Sequence, residues 1–261
     1  MKIDFHTHSK LGKKLPFSPQ YTEWHLRQAK LAGLDAICIT EHYNGTEMES
    51  TFDYIQMNMK CVGDAFVTND GLIVFLGLEI DAFEGGHFLT IGSMHDVKSI
   101  YQKLQPFLLK KLHPTYFQLV DVVKPLPILF GVSHPFRESN NICHLTIEQL
   151  SFLEFLELNG KDMALDTDNE NKVRKLAAEV GLPILAGSDT HQAHQFGCIC
   201  NHFNETVTTI EELRHVINGN ASYTIEHGHN TVVQVQTAKL IKTALKEVHK
   251  LGGDYVSVMF K

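Results

Sequence analysis

The feature that most constrains this chain is the N-terminal segment IDFHTH, residues 3–8. Apolar Ile3 and Phe5 predict a buried strand, and successive side chains of a strand alternate between its faces. His6 and His8 therefore point the same way, and two adjacent imidazoles form half of a metal site. Asp4 lies on the same face of the strand as these two histidines and could orient one of them. The same pattern also fits two solvated surface histidines, so the rest of the chain has to decide.

Composition supports the metal interpretation and excludes some partners. The chain has 261 residues and 16 His, an unusual number of the commonest metal-ligating residue. Its net charge of -7 predicts no general attraction to nucleic acid or to an anionic membrane. Five Cys without a C-x-x-C motif, together with no signal peptide, favour a reducing, cytoplasmic compartment. No apolar run approaches the length of a membrane span.

Short apolar strands alternate with helices along the chain. The predicted strands are 3–8, 35–40, 72–76, 87–91, 125–133, 152–158, 183–186, 222–225 and 255–260, and the predicted helices are 19–33, 50–68, 96–104, 114–123, 169–180, 209–217 and 232–250. This alternation predicts an α/β fold with a mostly parallel sheet, and seven or more βα units favour a closed barrel over an open sheet. No linker divides residues 1–261, which predicts a single domain.

Polar residues gather where the predicted strands end, which is where barrel enzymes place their sites. They are His6, His8, His42, Glu79, His134, Asp189 and His191, with His87 at the start of a strand. Any one of them could be a satisfied core or surface residue. Together they predict a site for two or three metal ions, and imidazole and carboxylate ligands suit Zn, Mn or Fe(II).

Five motifs then resemble, in order, those of the polymerase-and-histidinol-phosphatase (PHP) superfamily. They are DFHTH at 4–8, TEH at 40–42, GLE at 77–79 followed by His87, SHP at 133–135 and GSDTH at 187–191. The resemblance covers residues 2–191 and implies a distorted (β/α)7 barrel, similar to a TIM barrel, that hydrolyses phosphoesters. Residues 192–261 would complete the barrel and add a C-terminal helix and strand.

The resemblance also implies an assignment of ligands to metals. His6, His8, Glu79 and Asp189 would hold one ion, Glu79, His87 and His134 a second, and His42 and His191 a third. The family commonly has an Asp or His ligand a few residues after the first motif, but the loop KLGKKL at 10–15 offers none. The third site would therefore be absent, weaker, or completed by Glu41.

The ions would activate water and clamp a phosphate, with Glu79 and Asp189 available to bridge them. Arg137, three residues after His134, could bind phosphate through two hydrogen bonds or could form a structural ion pair. Lys13 and Lys14 are alternatives to Arg137.

Three functions stay open from sequence. The first is a metal-dependent phosphoesterase for a small phosphomonoester or a short nucleotide, the second a histidinol-phosphate phosphatase, and the third a non-catalytic, metal-stabilised module. The near-complete ligand set favours an enzyme. The segment from Gly85 to Val97 resembles that of the shorter, generic members of the superfamily, which favours the first function over the second.

Overall fold

The computed structural model describes residues 1–219 and 223–260. The strands are β1 Lys2–Thr7, β2 Ala36–His42, β3 Lys60–Val62, β4 Ala65–Val67, β5 Ile73–Asp81, β6 His87–Gly92, β7 Leu129–Ser133, β8 Phe155–Asn159, β9 Ile184–Gly187, β10 Ile199–Phe203 and β11 Tyr223–His227. The helices are α1 Pro19–Leu31, α2 Met48–Asn58, α3 Met94–Lys103, α4 Tyr116–Val123, α5 Ile147–Leu150, α6 Gly160–Met163, α7 Asn169–Val180, α8 Ile210–Asn218, α9 Thr231–Lys250 and α10 Tyr255–Met259. Residue 222 of the predicted strand 222–225, and residue 261 of the predicted domain, lie outside the described residues.

Seven strands form a nearly closed barrel, as the sequence predicted. Their order is β1-β2-β5-β6-β7-β8-β9, and β6 runs antiparallel to both of its neighbours, which distorts the barrel. A parallel bridge between Thr7 and Thr190 joins β9 back to β1. The Asp189 amide also donates to the His6 carbonyl at 2.8 Å. The ring therefore closes beside the motifs of the first and last strands.

At the opposite end of the barrel, β10 pairs with β1. The Asn201 side chain, from β10, fills the gap between β1 and β9. Asn201 Nδ2 donates to the carbonyls of Ile3 and Ala186, and its Oδ1 accepts from the Ala186 amide at 2.9 Å. A fully buried amide thus replaces ladder hydrogen bonds that the backbones are too far apart to make. In this way the segment after residue 191 contributes to closure, while β10 and β11 extend the sheet beyond the ring.

The core lies on both surfaces of the sheet. The interior contains Phe5, Leu89 and Phe155, and the layer between strands and helices contains Val74, Phe88 and Val132 among many others. Burial on both faces explains why the strands read as continuous apolar runs. None of the helices in the described parts of the chain is long and apolar enough to cross a bilayer.

Two predicted elements were wrong. The helix predicted over 50–68 ends at Asn58, and residues 60–67 form the hairpin β3–β4, which turns at Gly63 with a positive φ of 62°. The C-terminal strand predicted over 255–260 is the helix α10. Asp254 caps it by accepting a hydrogen bond from the Val256 amide at 3.0 Å. A short apolar run is ambiguous between strand and helix, and here the cap decides the outcome.

Candidate metal centre

One end of the barrel carries all eight ligands that the sequence predicted. His6 and His8 lie on and just after β1, His42 ends β2, Glu79 lies near the end of β5, His87 begins β6, His134 follows β7, and Asp189 and His191 follow β9. Because β6 is antiparallel, its first residue reaches the same rim as the last residues of the other strands. The structure thus brings the eight side chains together, and their role as ligands stays a prediction.

The carboxylate of Glu79 lies at the middle of this cluster. Its Oε2 is 2.8 Å from His42 Nδ1, 3.6 Å from His8 Nε2 and 3.7 Å from His6 Nε2, and its Oε1 is 2.7 Å from His87 Nδ1 and 3.1 Å from His134 Nε2. Burial raises the pKa of Glu79, but the surrounding histidines outweigh it and hold the pKa well below its usual range. Glu79 is therefore a buried carboxylate in its charged form.

Three groups of ligand atoms in the described chain are compact enough to hold a metal ion. They are His6, His8 and Asp189; Glu79, His87 and His134; and His8, His42 and His191, and within each group the atoms lie within 4.8 Å of one another. The second group contains the three residues of the second predicted site, whereas the first group contains His6, His8 and Asp189 without the Glu79 that was predicted to join them. The third pairs His42 and His191 with His8, whose ring stacks on His191 with centroids 3.9 Å apart.

The contact between Glu79 and His42 indicates that this cluster fits a divalent cation. Glu79 Oε2 and His42 Nδ1 are 2.8 Å apart, yet neither atom forms a hydrogen bond within the described residues. Leaving a buried charged oxygen without a hydrogen bond is costly. A cation placed among nitrogen and oxygen donors removes that cost, and this donor set suits a divalent transition metal.

Glu157 supports the cluster from behind, and the sequence analysis missed it. It is fully buried in β8, accepts from His6 Nδ1 at 2.8 Å, and accepts from the His134 amide at 2.7 Å. Its contact with Nδ1 directs His6 Nε2 towards the ligand groups. A Cβ on Gly187 would lie 2.1 Å from Glu157 Oε1, so only glycine leaves room for this contact. The signal in the sequence was a carboxylate inside the apolar run FLELN.

Asp189 is held by two cations. Its Oδ2 lies 2.9 Å from Arg137 Nη2 and 2.9 Å from Lys161 Nζ, while its Oδ1 faces His8 Nε2 at 3.4 Å. Arg137 Nε also donates to Asp162 at 2.9 Å. The Arg137 guanidinium is therefore engaged in ion pairs beside the metal centre, as the structural alternative predicted. Contact between Arg137 and a phosphate stays a prediction. The sequence analysis missed Lys161, because no motif distinguishes it from the other lysines of the chain.

Asn159, at the end of β8, has a local structural role. Its Oδ1 accepts hydrogen bonds from the amides of Lys161 and Asp162, so Asn159 caps α6. The same oxygen accepts from Arg137 Nη2 at 3.4 Å. The capped helix α6 thereby places Lys161 and Asp162 beside the arginine.

The loop after His8 supports the third group through its backbone. His191 Nδ1 lies 3.0 Å from the Lys10 carbonyl, and the Tyr21 hydroxyl donates to the His191 carbonyl. The Lys10 side chain is buried and donates to the Thr46 carbonyl. The loop thus orients His191 without adding a ligand of its own.

Glu41 anchors this same loop. Its Oε1 accepts from the amide and hydroxyl of Ser9, at 2.6 and 2.8 Å, and its Oε2 lies 3.6 Å from His8 Nδ1. Burial raises the pKa of Glu41, and the contacts with His8 outweigh burial and lower it to about 2. Glu41 is thus positioned behind His8, on the side away from the ring nitrogen that faces Glu79.

Asp81 is a further site residue that the motifs did not identify. It lies two residues after Glu79 on β5, and its two oxygens contact His87 Nε2 and Lys13 Nζ, each at 2.7 Å. The sequence could have indicated Asp81, because residues 79 and 81 of a strand lie on the same face. Lys13 therefore reaches the rim as an ion-pair partner of Asp81, whereas Lys14 is exposed.

The backbone is strained at two of the candidate ligands. His134 and Asp189 have positive φ values of 32° and 56°, and only Glu47 shares this property among the non-glycine residues described. Side chains other than glycine adopt this region at an energetic cost, and such residues cluster at functional sites. His134 directly follows β7 and Asp189 lies two residues after β9, so the strained backbone is at the strand ends that carry the candidate ligands.

Comparison with known proteins agrees with this fold. Residues 168–220 match the family model described as PHP-associated. This match agrees with the five ordered motifs, which resemble those of the PHP superfamily. No protein of curated function matches it in sequence.

Several solved structures share the fold. PsfC from Pseudomonas syringae PB-5123 is 18% identical with a TM-score of 0.76, over 94% of this chain and 98% of that one. The lesion-specific endonuclease PfuEndoQ from Pyrococcus furiosus is 23% identical with a TM-score of 0.65, over 86% of this chain and 57% of that one. An Endonuclease Q complex with a 27-mer duplex bearing an abasic lesion is 21% identical with a TM-score of 0.66, over 85% and 57%. The chain thus spans a little over half the length of the endonucleases.

Proposed function

We propose that this protein is a metal-dependent phosphoesterase that hydrolyses a small phosphomonoester or a short nucleotide. The observation that carries the proposal is the Glu79 carboxylate, which five imidazoles surround at the barrel rim. A buried carboxylate that belongs to one group of ligand atoms and faces the histidines of a second is an arrangement that suits a two-metal hydrolase. Endonuclease Q, which has the same fold, takes a duplex substrate, and the backbone of such a duplex is also made of phosphoester bonds.

The proposed ligands follow the three groups. His6, His8 and Asp189, with Glu79 beside them, would hold the first ion; Glu79, His87 and His134 would hold the second; and His42 and His191, with His8 stacked against them, would hold a third. Zn, Mn and Fe(II) suit these nitrogen and oxygen donors. When bound, the ions supply Lewis acidity that activates water and offsets the negative charge of the phosphoryl group.

The chain's own residues orient that chemistry. Glu157 and Asp81 hold the rings of His6 and His87 in place through contacts of 2.8 and 2.7 Å. Arg137 and Lys161 hold Asp189, and their remaining N–H groups are available to a phosphoryl oxygen next to it. Their charge offsets the part of the phosphate charge that the ions leave uncompensated.

A substrate panel with metal add-back tests the proposal. Protein freed of metal by a chelator is incubated with Mn, Zn or Fe(II) and with phosphomonoesters, histidinol phosphate and short oligonucleotides. Phosphate release is measured for the monoesters and strand cleavage for the oligonucleotides. We expect hydrolysis that depends on added metal and is highest for a small monoester or a short nucleotide. A distinct preference for histidinol phosphate would support the second function instead. If no substrate is hydrolysed with any metal, the protein is a non-catalytic, metal-stabilised module instead.

A further inference from the structure

A cavity of about 490 Å³ lies between α9 and the metal centre. Asp189 and His191 line it from the barrel rim, and Lys161 lines it from α6. On the opposite wall, α9 contributes Lys239, Lys242 and Lys246. Residues at this spacing lie on one face of a helix. The cavity therefore connects the candidate ligands to a row of lysines that no superfamily motif includes.

Lys242 is the most informative member of the row. It is half-buried, and across residues 1–219 and 223–260 it has neither an ion-pair nor a hydrogen-bond partner. Burial lowers the pKa of Lys242 to about 7, and the charges of Lys161 and Lys246 act in the same direction against the attraction of Asp189. A desolvated amine among other cations is stabilised by a bound anion.

Three other lysines, near the site or on the same helix, differ from Lys242 in having a carboxylate partner. Lys161 is paired with Asp189, Lys13 with Asp81, and Lys250 with Glu247 at 3.2 Å on the same helix. Asp189, the rim carboxylate that attracts Lys242 most, is already shared by Arg137 and Lys161. The Lys242 amine thus has no carboxylate partner of its own at the cavity wall.

Shape and charge together define what the cavity would hold. The chain as a whole is acidic, with a net charge of -7. The row of lysines therefore makes the cavity wall locally positive on an acidic protein. Leu165, Val235 and Ala238 also line the cavity and give it apolar surface between the lysines and the rim. A cavity of this volume accommodates a small molecule. The arrangement suits a short carbon skeleton with an anionic group at its far end.

We infer that the cavity beside α9 binds a second anionic group of the substrate, a phosphate or a carboxylate, while the phosphoester lies at the metal centre. The inference rests on the proposed phosphoesterase function and narrows its substrate to a small compound with two anionic groups. Lys242 is the principal contact of the second group, and Lys246 assists it one turn further along α9. These lysines are specificity residues that lie apart from the bond being hydrolysed.

Calorimetric titration of the metal-loaded protein tests the inference with three ligands that cannot be hydrolysed. They are propylphosphonate, propane-1,3-bisphosphonate and 3-phosphonopropanoate. We expect the bisphosphonate to bind about tenfold more tightly than propylphosphonate, which is the scale of one charge-assisted hydrogen bond. If 3-phosphonopropanoate binds as tightly as the bisphosphonate, the second group can be a carboxylate; if it does not, the cavity prefers phosphate.

Variants of α9 then locate the contact. Lys242→Met should remove most of the tenfold advantage, Lys246→Met should remove part of it, and Lys242→Arg should keep it. Lys250→Met removes the same charge from the same helix outside the cavity, so it should bind all three ligands as the wild type does. The inference is overturned if the bisphosphonate binds no more tightly than propylphosphonate, or if Lys242→Met keeps the full advantage. Because binding is measured without hydrolysis, these outcomes are separate from failure of the phosphoesterase proposal.

Discussion

At the scale of single residues, Glu79 connects the parts of the candidate centre. Each of its contacts would be unremarkable alone, since a buried carboxylate commonly pairs with one histidine. Here both oxygens face imidazoles, and they do so from strands β1, β2, β6 and β7 and their ends. A change at this position therefore affects two ligand groups at once, whereas a change at His191 affects one.

Glu79→Gln should lower phosphoesterase activity more than His191→Ala does. The amide keeps the shape of the side chain but removes the charge that two groups of ligands share. We expect a loss of more than roughly 100-fold for Glu79→Gln and of roughly 10- to 100-fold for His191→Ala. Initial rates and metal content per chain are the measurements. Glu23→Gln, an exposed carboxylate on α1, is the matched control. Equal losses in the first two variants would contradict a bridging role for Glu79.

Arg137 differs from the ligands because its contacts are ion pairs with Asp162 and Asp189. Arg137→Ala should lower kcat/KM, because both Asp189 and the phosphate lose a cation. The corresponding loss of transition-state stabilisation should be about 1.5–3 kcal/mol, the scale of a charge-assisted hydrogen bond. Arg137→Lys should recover only part of the loss, since a point charge cannot make paired contacts. Steady-state kinetics on metal-saturated protein measure the effect. Unchanged kinetics for Arg137→Ala would show that its ion pairs serve stability alone.

At the scale of elements, the strand ends explain both what the sequence predicted and what it did not. The apolar runs and glycine stops predicted the barrel strands and the helix 169–180, which the structure confirms as α7. The motifs predicted which residues meet at the rim, because parallel strands bring their ends to one edge. The supporting residues Glu157, Asp81 and Lys161 escaped prediction, since their roles depend on distances between strands that are far apart in sequence. The helix α10 escaped because its cap and packing decide a run that propensity leaves ambiguous.

The closure of the barrel through Asn201 gives a test at this scale. Asn201→Ala should destabilise the fold by about 1–3 kcal/mol, because the buried backbone groups of Ile3 and Ala186 lose their partner. Urea denaturation followed by far-UV circular dichroism measures the free energy of unfolding. Asn204→Ala, exposed on the same segment, should change it by less than about 0.5 kcal/mol. Equal stability of the Asn201 variant and wild type would mean that the ladder closes the barrel without this side chain.

At the scale of the whole molecule, structure and chemistry meet at one end of the barrel. The seven strands place histidines and carboxylates within a few ångströms, the helices α1, α6 and α9 surround that end, and the opposite end is closed by apolar packing and Asn201. Stability and proposed function are therefore separated in space, as is usual for barrel enzymes. The central claim is that this end holds a multinuclear metal centre.

Elemental analysis of the protein, purified without chelator and again after incubation with Mn, Zn or Fe(II), tests that claim most directly. The geometry of the ligand groups predicts two or more divalent ions bound per chain of wild-type protein. Glu79→Gln should bind fewer, and Glu23→Gln should match the wild type. A wild-type protein that binds one ion or none after every addition would contradict the account.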